Sequence, residues 1–235
     1  MRNELFRLSA LAIAWFMLSI CDAVPAWADY WDGVVAYRQG DYVTALREWR
    51  HLAEEGHAQG EASLGWLYVK GHGVSQDYAA ARELFGRASA QGQAEAQYNL
   101  AQLYQGGLGG PQDYRLARHW YEESARQGNV DAQVNLGTLQ LNGWGGAEDY
   151  QGALVWFQSA ANQGNALALT KLGFMYEHGN GVAQDFVEAH KWYNLGGARG
   201  EKMGAASRDE LGKRMTQSQI VEAQAQARRW APKGP

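Results

Sequence analysis

Cysteine and proline are scarce in this sequence, and no part of it carries a concentrated positive charge. Of its 235 residues one is cysteine, Cys21, and four are proline. A lone cysteine excludes an intramolecular disulfide and leaves no set of thiolates for a structural zinc ion. Few prolines leave long stretches free to be helical. The formal net charge of −4, without a lysine- or arginine-rich run, provides no basic field for nucleic acid.

The first 28 residues have the organisation of a secretory signal peptide. A weakly positive start precedes an apolar run over residues 8–21 that is too short to span a bilayer, and Ala26-Trp27-Ala28 fits the small-x-small cleavage pattern. We therefore expect cleavage after Ala28, a mature chain in the periplasm or outside the cell, and no membrane span after cleavage. An uncleaved leader that anchors the chain is one alternative. A lipoprotein attached at Cys21 is another, although Ile20 stands where a small residue is preferred.

An internal repeat of 36 residues organises the rest of the chain. An aspartate followed by an aromatic residue recurs at this spacing without insertion, and glycines and leucines keep the same register. The three series are Asp41, Asp77, Asp113, Asp149 and Asp185; Gly56, Gly92, Gly128, Gly164 and Gly200; and Leu64, Leu100, Leu136 and Leu172. Several residue types in one strict register predict a solenoid of stacked units.

Each unit is predicted to form two helices. In the first unit Asp41 can cap the first helix, because its carboxylate accepts hydrogen bonds from free backbone N–H groups. That helix would run to residue 53 or 54, where Gly56 ends it in a left-handed conformation. The second helix would run from about Ala58 to Val69 and end in the turn at residues 71–73.

Apolar residues recur at the helical period within each unit. Counted from the aspartate, positions +1, +4, +7, +8, +11 and +12 form one broad face of the first helix, and position +4 is alanine in all five units. In the second helix a small residue follows the leucine, as Gly137 follows Leu136. A glycine inside a helix costs about 1 kcal/mol relative to alanine. We therefore interpret these small residues as points where two helices cross closely.

These residues resemble the Sel1-like repeat, a relative of the tetratricopeptide repeat. Residues 149–184 carry the pattern well, with Ala168, Leu172, Gly173 and Tyr176 in the second helix and a Gly-x-Gly-Val turn at residues 179–182. The resemblance departs locally where Gln140 replaces a tyrosine, where Glu48 replaces a tryptophan, and in the altered turn at residues 143–146.

The resemblance implies an all-α, right-handed solenoid of about five helix-turn-helix repeats with a capping helix at each end. The expected organisation is a signal peptide (1–28), an N-terminal capping helix (29–40), repeats at 41–76, 77–112, 113–148, 149–184 and, partially, 185–211, and a C-terminal capping helix with a tail (212–235). Thr216 and Gln219 fit a capping box for the last helix, which would bury Ile220, Ala223, Ala227 and Trp230.

The resemblance also implies a scaffold, adaptor or regulator in the bacterial envelope, and no catalytic constellation in the sequence argues otherwise. The six histidines form no His-Glu-x-x-His motif, and His119 beside Glu122 and Glu123 is best interpreted as a solvated helix face. No serine has lysine three residues later. We therefore expect no enzyme activity, no cofactor and no metal. The alternative is a protein that binds or hydrolyses cell-wall fragments or β-lactams, a chemistry associated with some secreted relatives.

A partner protein or peptide is expected on the concave face of the solenoid, which related arrays line with their first helices. Positions +2, +6, +9 and +13 lie opposite the core stripe and vary between units, and the arginines among them suit a partner with acidic side chains. The candidate contacts are Arg47, Arg50, Arg115, His119, Glu122 and Arg126, with Arg50, Arg115 and Arg126 as the main ones. The alternative is an ordinary solvated face.

Trp144 is the last candidate contact, because it stands in a glycine-rich turn with few neighbours to bury it. An exposed tryptophan is a frequent anchor at protein interfaces. The alternative is that its ring folds back over Tyr150 or over the ends of the helices. The remaining tryptophans after residue 28 occur mostly at core positions of the repeat and are expected to pack there.

Overall fold

In the computed structural model, which describes residues 26–233, the chain is a row of α-helices joined by short turns, and this part contains no strand. The predicted signal peptide lies outside the described residues up to residue 25. The twelve helices are α1 (Ala26–Arg38), α2 (Tyr42–Glu54), α3 (Ala58–Lys70), α4 (Tyr78–Ala90), α5 (Ala94–Gly106), α6 (Tyr114–Arg126), α7 (Val130–Leu141), α8 (Tyr150–Asn162), α9 (Ala166–His178), α10 (Phe186–Ala198), α11 (Lys202–Gly212) and α12 (Gln217–Arg229).

Local chemistry sets the ends of these helices as predicted. The carboxylate of Asp113 accepts hydrogen bonds from the backbone N–H groups of Arg115 and Leu116, at 2.9 and 3.1 Å, and Asp41 caps α2 through the N–H of Thr44. Gly56, after α2, has a φ of 81°, in the left-handed region that favours glycine. The altered third turn keeps positive φ at Gly143 and Gly145, although α7 ends one residue early, at Leu141.

The core of the described part lies between the helices as five hydrophobic clusters that follow one another along the solenoid. Each second helix packs against the first helix of the next unit, so that α3 lies on α4, α5 on α6, α7 on α8 and α9 on α10. The alanines at position +4 are fully buried, which confirms the predicted close approach; they are Ala45, Ala81, Ala117, Ala153 and Ala189. Large buried side chains at position +8 fill the remaining space; they are Trp49, Phe85, Tyr121, Phe157 and Tyr193.

The glycines of the second helices are required by this packing. A Cβ atom on Gly137 would lie 2.8 Å from Cε1 of Phe157, and one on Gly173 would lie 2.5 Å from Cδ1 of Tyr193. Real side chains do not approach that closely, so the predicted close crossings are confirmed. In three units the aromatic ring at position +8 of the following first helix therefore lies directly on this glycine: Phe85 on Gly65, Phe157 on Gly137 and Tyr193 on Gly173.

The two ends of the solenoid carry extra helices. Helix α1 begins at Ala26, three residues before the predicted start, and packs on α2. Helix α12 has the predicted capping box, with Thr216 Oγ1 accepting from the N–H of Gln219, and it packs on α10. Ala223 and Ala227 are buried there as expected. The prediction was too strong for two other residues, because Ile220 and Trp230 lie at the edge of the contact and are only partly buried.

Candidate functional site

The residues proposed to bind a partner lie on the exposed side of the first helices. We call this surface, formed by positions +2, +6, +9 and +13 of α2, α4, α6 and α8, the first-helix face. At its N-terminal end Val43, Leu46, Arg47, Arg50 and Glu54 line a shallow cavity of about 410 Å³. Val43 is 73% exposed within it. This end therefore offers a partner an apolar floor beside two arginines.

The two arginines of this cavity differ in whether their guanidinium groups are already paired with a carboxylate. Arg47 donates to Oε1 of the neighbouring Glu48 through Nε at 2.9 Å and Nη2 at 2.5 Å. The Glu48 carboxylate beside it raises the pKa of the Arg47 guanidinium above its usual value. Arg50 forms no ion pair with any residue of the described part of the chain. Its five N–H donors are available to an acidic group of a partner.

Helix α6 carries the second group of predicted contacts, 72 residues further along the chain. Arg126 is held within this helix by two carboxylates, those of Glu122 and of Glu123, the latter at 2.6 Å. These three side chains together carry one net negative charge, so they do not present the cation that the sequence suggested. Arg115 is exposed at the start of α6 and has no such carboxylate partner within residues 26–233. His119 is exposed, with its ring 4.8 Å from that of Trp120.

Helix α4 connects these two groups with a surface of small side chains. Ala79 and Ala90 are exposed, and a Cβ atom on Gly86 would meet no atom within 4 Å. Beyond α6, Leu154, Val155 and Gln158 of α8 help to line a second shallow cavity of about 420 Å³. The first-helix face thus has one open apolar cavity near each end.

Trp144 lies at the edge of the solenoid and is 43% exposed. Its ring is 5.5 Å from the ring of Tyr114, which begins α6. The alternative in which the ring folds back over the end of a helix is therefore confirmed in part, and the residue it contacts is Tyr114 of the preceding unit. The same arrangement occurs in the first turn, where His72 stacks on Tyr42 at 4.1 Å. Part of the Trp144 ring is used in this packing, and the rest is open to a partner.

The structure also forms a cavity that the repeat pattern did not predict. A cavity of about 390 Å³ opens across α7, α9 and α11, and we call it the second-helix cavity. Its main lining residues are Leu141, Leu167, Lys171, Phe174, Tyr193 and Met203. Leu167 and Met203 occupy a position at which the first three second helices have Gln59, Glu95 and Asp131. A comparison of equivalent outward-facing positions along the repeat would have found this signal.

The described residues show no grouping suited to a metal ion: within residues 26–233, no three His, Cys, Asp or Glu side chains come together for that purpose. His190 is buried, and its Nδ1 has no hydrogen-bond partner among residues 26–233. Burial, followed by the nearby charge of Arg208, lowers its pKa. No helix between residues 26 and 233 has the length and apolar character needed to cross a bilayer.

Comparison with known proteins identifies the repeat. Four consecutive segments, residues 58–93, 94–129, 130–165 and 166–201, match the family model described as Sel1 repeat. Each segment begins at the second helix of one unit and ends after the first helix of the next, which is the pair that packs most closely here. No curated protein matches the chain in sequence.

Solved structures share the architecture. The chain is similar to a Sel1 repeat protein from Oxalobacter formigenes, with 25% identity and a TM-score of 0.76 over 85% of this chain and 82% of that one. A Klebsiella pneumoniae protein assigned to the Sel1 repeat proteins has 24% identity and a TM-score of 0.52 over 80% and 93% of the two chains. The immunity protein Pa5087 from Pseudomonas aeruginosa has 20% identity and a TM-score of 0.48, over 88% and 86%, which is too distant to bear on function.

Proposed function

We propose that this chain, which belongs to the Sel1 repeat family, is a non-enzymatic scaffold of the bacterial envelope that binds a partner protein or peptide along its first-helix face. Sel1 repeats generally mediate protein–protein interactions. Such a scaffold would serve as a regulator, as an assembly factor, or as an inhibitor of a toxin or hydrolase. The envelope location rests on the pattern of a signal peptide in residues 1–28.

The observation that carries this proposal is the pair of apolar cavities on the first-helix face. Val43 in the cavity of α2 and Val155 in that of α8 are 73% and 62% exposed. Isolated exposed valines are common, but here each lies in a shallow, open depression of the surface beside a second apolar side chain, Leu46 or Leu154. Burial of apolar area contributes about 25 cal/mol for each Å² removed from water.

The charges on this face favour an acidic partner. Arg50 and Arg115 have no carboxylate partner within residues 26–233, and they lie on α2 and α6, either side of the smooth surface of α4. An arginine accepts a carboxylate through two parallel hydrogen bonds, which gives orientation as well as affinity. Because Arg126 is already paired, we assign the main contacts to Arg50 and Arg115 and give Arg126 a lesser role.

A glycine in helix α4 also favours the first-helix face as the binding surface. Gly86 lies in the middle of this helix with open space where a Cβ atom would be. Glycine at such a position costs about 1 kcal/mol relative to alanine, and no neighbour among residues 26–233 requires it. A partner backbone that approaches α4 closely would need this space.

The experiment is affinity capture with chemical crosslinking from the native cell envelope. The test variant carries Arg50→Glu and Arg115→Glu, and the matched control carries Arg228→Glu and Arg229→Glu, which reverses two exposed arginines of α12. Circular dichroism and melting curves would establish that both variants are folded. We expect the test variant to lose the partner that the wild type and the control retain.

Two results would contradict the proposal. Equal capture by the folded test variant would exclude the first-helix face as the binding surface. Crosslinks from the captured protein that map to other helices would do the same. Identification of the partner by mass spectrometry would then decide among the regulatory, assembly and inhibitory roles.

A further inference from the structure

We propose that the second-helix cavity is a separate docking site for a protein segment that inserts a bulky apolar side chain and places an adjacent carboxylate at Lys171. The cavity is lined mainly by α7, α9 and α11, with Tyr193 of α10 and Tyr150 at the start of α8, whereas the first-helix face uses the outward positions of α2, α4, α6 and α8. The two surfaces use different side chains, and so they can be tested and can fail independently.

The interior of the cavity is apolar. Its floor is formed by the buried side chains of Leu141, Thr170 and Tyr193, and its walls by Leu167 and Phe174, which are 38% and 37% exposed. A volume of about 390 Å³ is enough for one or two large side chains. Exposed apolar walls around a buried floor are the arrangement in which anchor residues contribute most at interfaces.

The repeat itself shows that the fold does not require these apolar residues. The residue at the second position of each second helix is polar in the first three units, as Gln59, Glu95 and Asp131. An acidic residue there also suits the positive end of the helix. Helix α9 has Leu167 instead, with no acidic residue in its first turn, and α11 has Met203, which is 63% exposed. Both departures from the repeat face the same cavity.

Lys171 is a third departure at the same place. The equivalent position in the other second helices has a small neutral side chain: Ser63, Asn99, Asn135 or Ser207. The Lys171 ammonium lines the cavity and forms no ion pair within residues 26–233. The other charged group of the lining, Glu148, already accepts a hydrogen bond from the hydroxyl of Tyr150 at 2.6 Å. That hydrogen bond leaves the Glu148 carboxylate charged, so the lining holds one cation and one anion. Lys171, which has no ion-pair partner within the described residues, is the group that a carboxylate of the occupant complements.

The rim of the cavity favours a polypeptide as the occupant. The amides of Asn142 and Asn180 lie at the rim, in the turns that follow α7 and α9. Asn142 uses its Nδ2 to donate to the carbonyl of Thr138 at 2.7 Å, which leaves its Oδ1 able to accept from a peptide N–H group. Amides beside an apolar pocket can pair with the backbone of an extended segment whose side chain fills the pocket.

The test is selection of random heptapeptides displayed on phage against the purified full-length protein, followed by affinity measurements with the selected synthetic peptides. Leu167→Asp installs the residue that Asp131 provides in the preceding unit, so the fold should tolerate it. Lys171→Glu reverses the charge. The matched controls are Leu108→Asp, a leucine of similar exposure in the turn after α5, and Lys70→Glu, a lysine at the end of α3.

We expect the selected peptides to share a large apolar residue next to aspartate or glutamate. Leu167→Asp and Lys171→Glu should each weaken their binding by about tenfold or more, and the controls should not. Selection against Lys171→Glu should enrich lysine or arginine in place of the acid. Melting curves like that of the wild type would show that both variants are folded.

Three outcomes would overturn the proposal. One is that no peptide is enriched. Another is that enriched peptides bind the two cavity variants as tightly as the controls. The third is that dodecanoate binds at Leu167 and Lys171 while no peptide does, which would assign the cavity to a small amphiphile.

Discussion

The side-chain Nε2 of Gln127 donates a hydrogen bond to Oε1 of Gln97 at 2.7 Å and so joins two consecutive units of the solenoid. Gln97 is buried, and its own Nε2 donates to the carbonyl of Ser89 at 3.3 Å. The same link recurs on either side, from Gln91 to Glu61 at 2.9 Å and from Gln163 to Gln133 at 3.1 Å. The glutamine that follows a first helix thus satisfies a buried polar group in the unit before it.

Replacing Gln127 by alanine should therefore destabilise the protein. The change leaves the buried Oε1 of Gln97 without its partner, which costs about 1–3 kcal/mol of unfolding free energy. The melting temperature should fall by about 2–4 °C for each kcal/mol in a chain of this size. Gln102→Ala is the control, because Gln102 is exposed and its side chain donates to the hydroxyl of Tyr98 within the same helix. Equal melting temperatures for the two variants would show that the hydrogen bond between Gln127 and Gln97 does not stabilise the protein.

Gly137→Leu should lower the melting temperature by several degrees. The new side chain would begin 2.8 Å from the ring of Phe157, and the backbone of α7 would have to move away from α8. Overpacking of a core typically costs about 1–3 kcal/mol. Thermal unfolding followed by circular dichroism measures the change. A melting curve identical to that of the wild type would show that the two helices do not depend on this crossing.

Gly86→Ala should have the opposite effect. Its Cβ atom would meet nothing within 4 Å, so the gain in helix propensity, about 0.5–1 kcal/mol, is not offset by a clash. We expect a melting temperature higher by about 1–4 °C. The same variant should bind the envelope partner less tightly if the partner backbone approaches α4. A lower melting temperature would mean that the position is more crowded than its geometry indicates.

His190 should make the protein less stable in mild acid. Burial first, and then the charge of Arg208, lower its folded-state pKa below the ordinary value of 6.5, while Asp209 acts weakly in the other direction. Between that lowered pKa and 6.5 the unfolded chain binds more protons than the folded one, so stability is lost as the pH falls below 6.5.

The measurement for this prediction is the melting temperature at pH 7.5 and at pH 5. We expect the difference between the two to be smaller in His190→Gln than in the wild type. His119→Gln, which changes an exposed histidine, is the matched control. An equal difference in all three proteins would show that His190 does not contribute to the acid sensitivity.

The helices, their ends and the stacking were predictable because they depend on local chemistry repeated five times. Asp113 caps its helix, Gly56 adopts positive φ, and Ala45 is buried, all through contacts with near neighbours in sequence or at a fixed spacing of one unit. The family match and the similar solved structures agree with this fold.

The two candidate binding surfaces, the first-helix face and the second-helix cavity, were less predictable. Their side chains come from different units, and the residues shared by all units do not specify these contacts. The sequence presents Arg126 as a free cation, but Glu122 and Glu123 hold it. Trp144 contacts Tyr114 rather than Tyr150 because the turn folds back onto the preceding unit. The second-helix cavity gathers residues from several helices, and its departures from the repeat, Leu167 and Lys171 in α9 and Met203 in α11, become neighbours only when the helices are stacked.

The sequence by itself determined the 36-residue period, the helix pair, the small residues of the crossings and the family, because all of these are periodic and local. The tertiary structure alone decided which outward-facing side chains are neighbours, which charges are already paired and where apolar walls enclose a cavity. The physical reason is distance: stacking places residues that are 30 or more positions apart side by side, and a partner binds to that assembled surface.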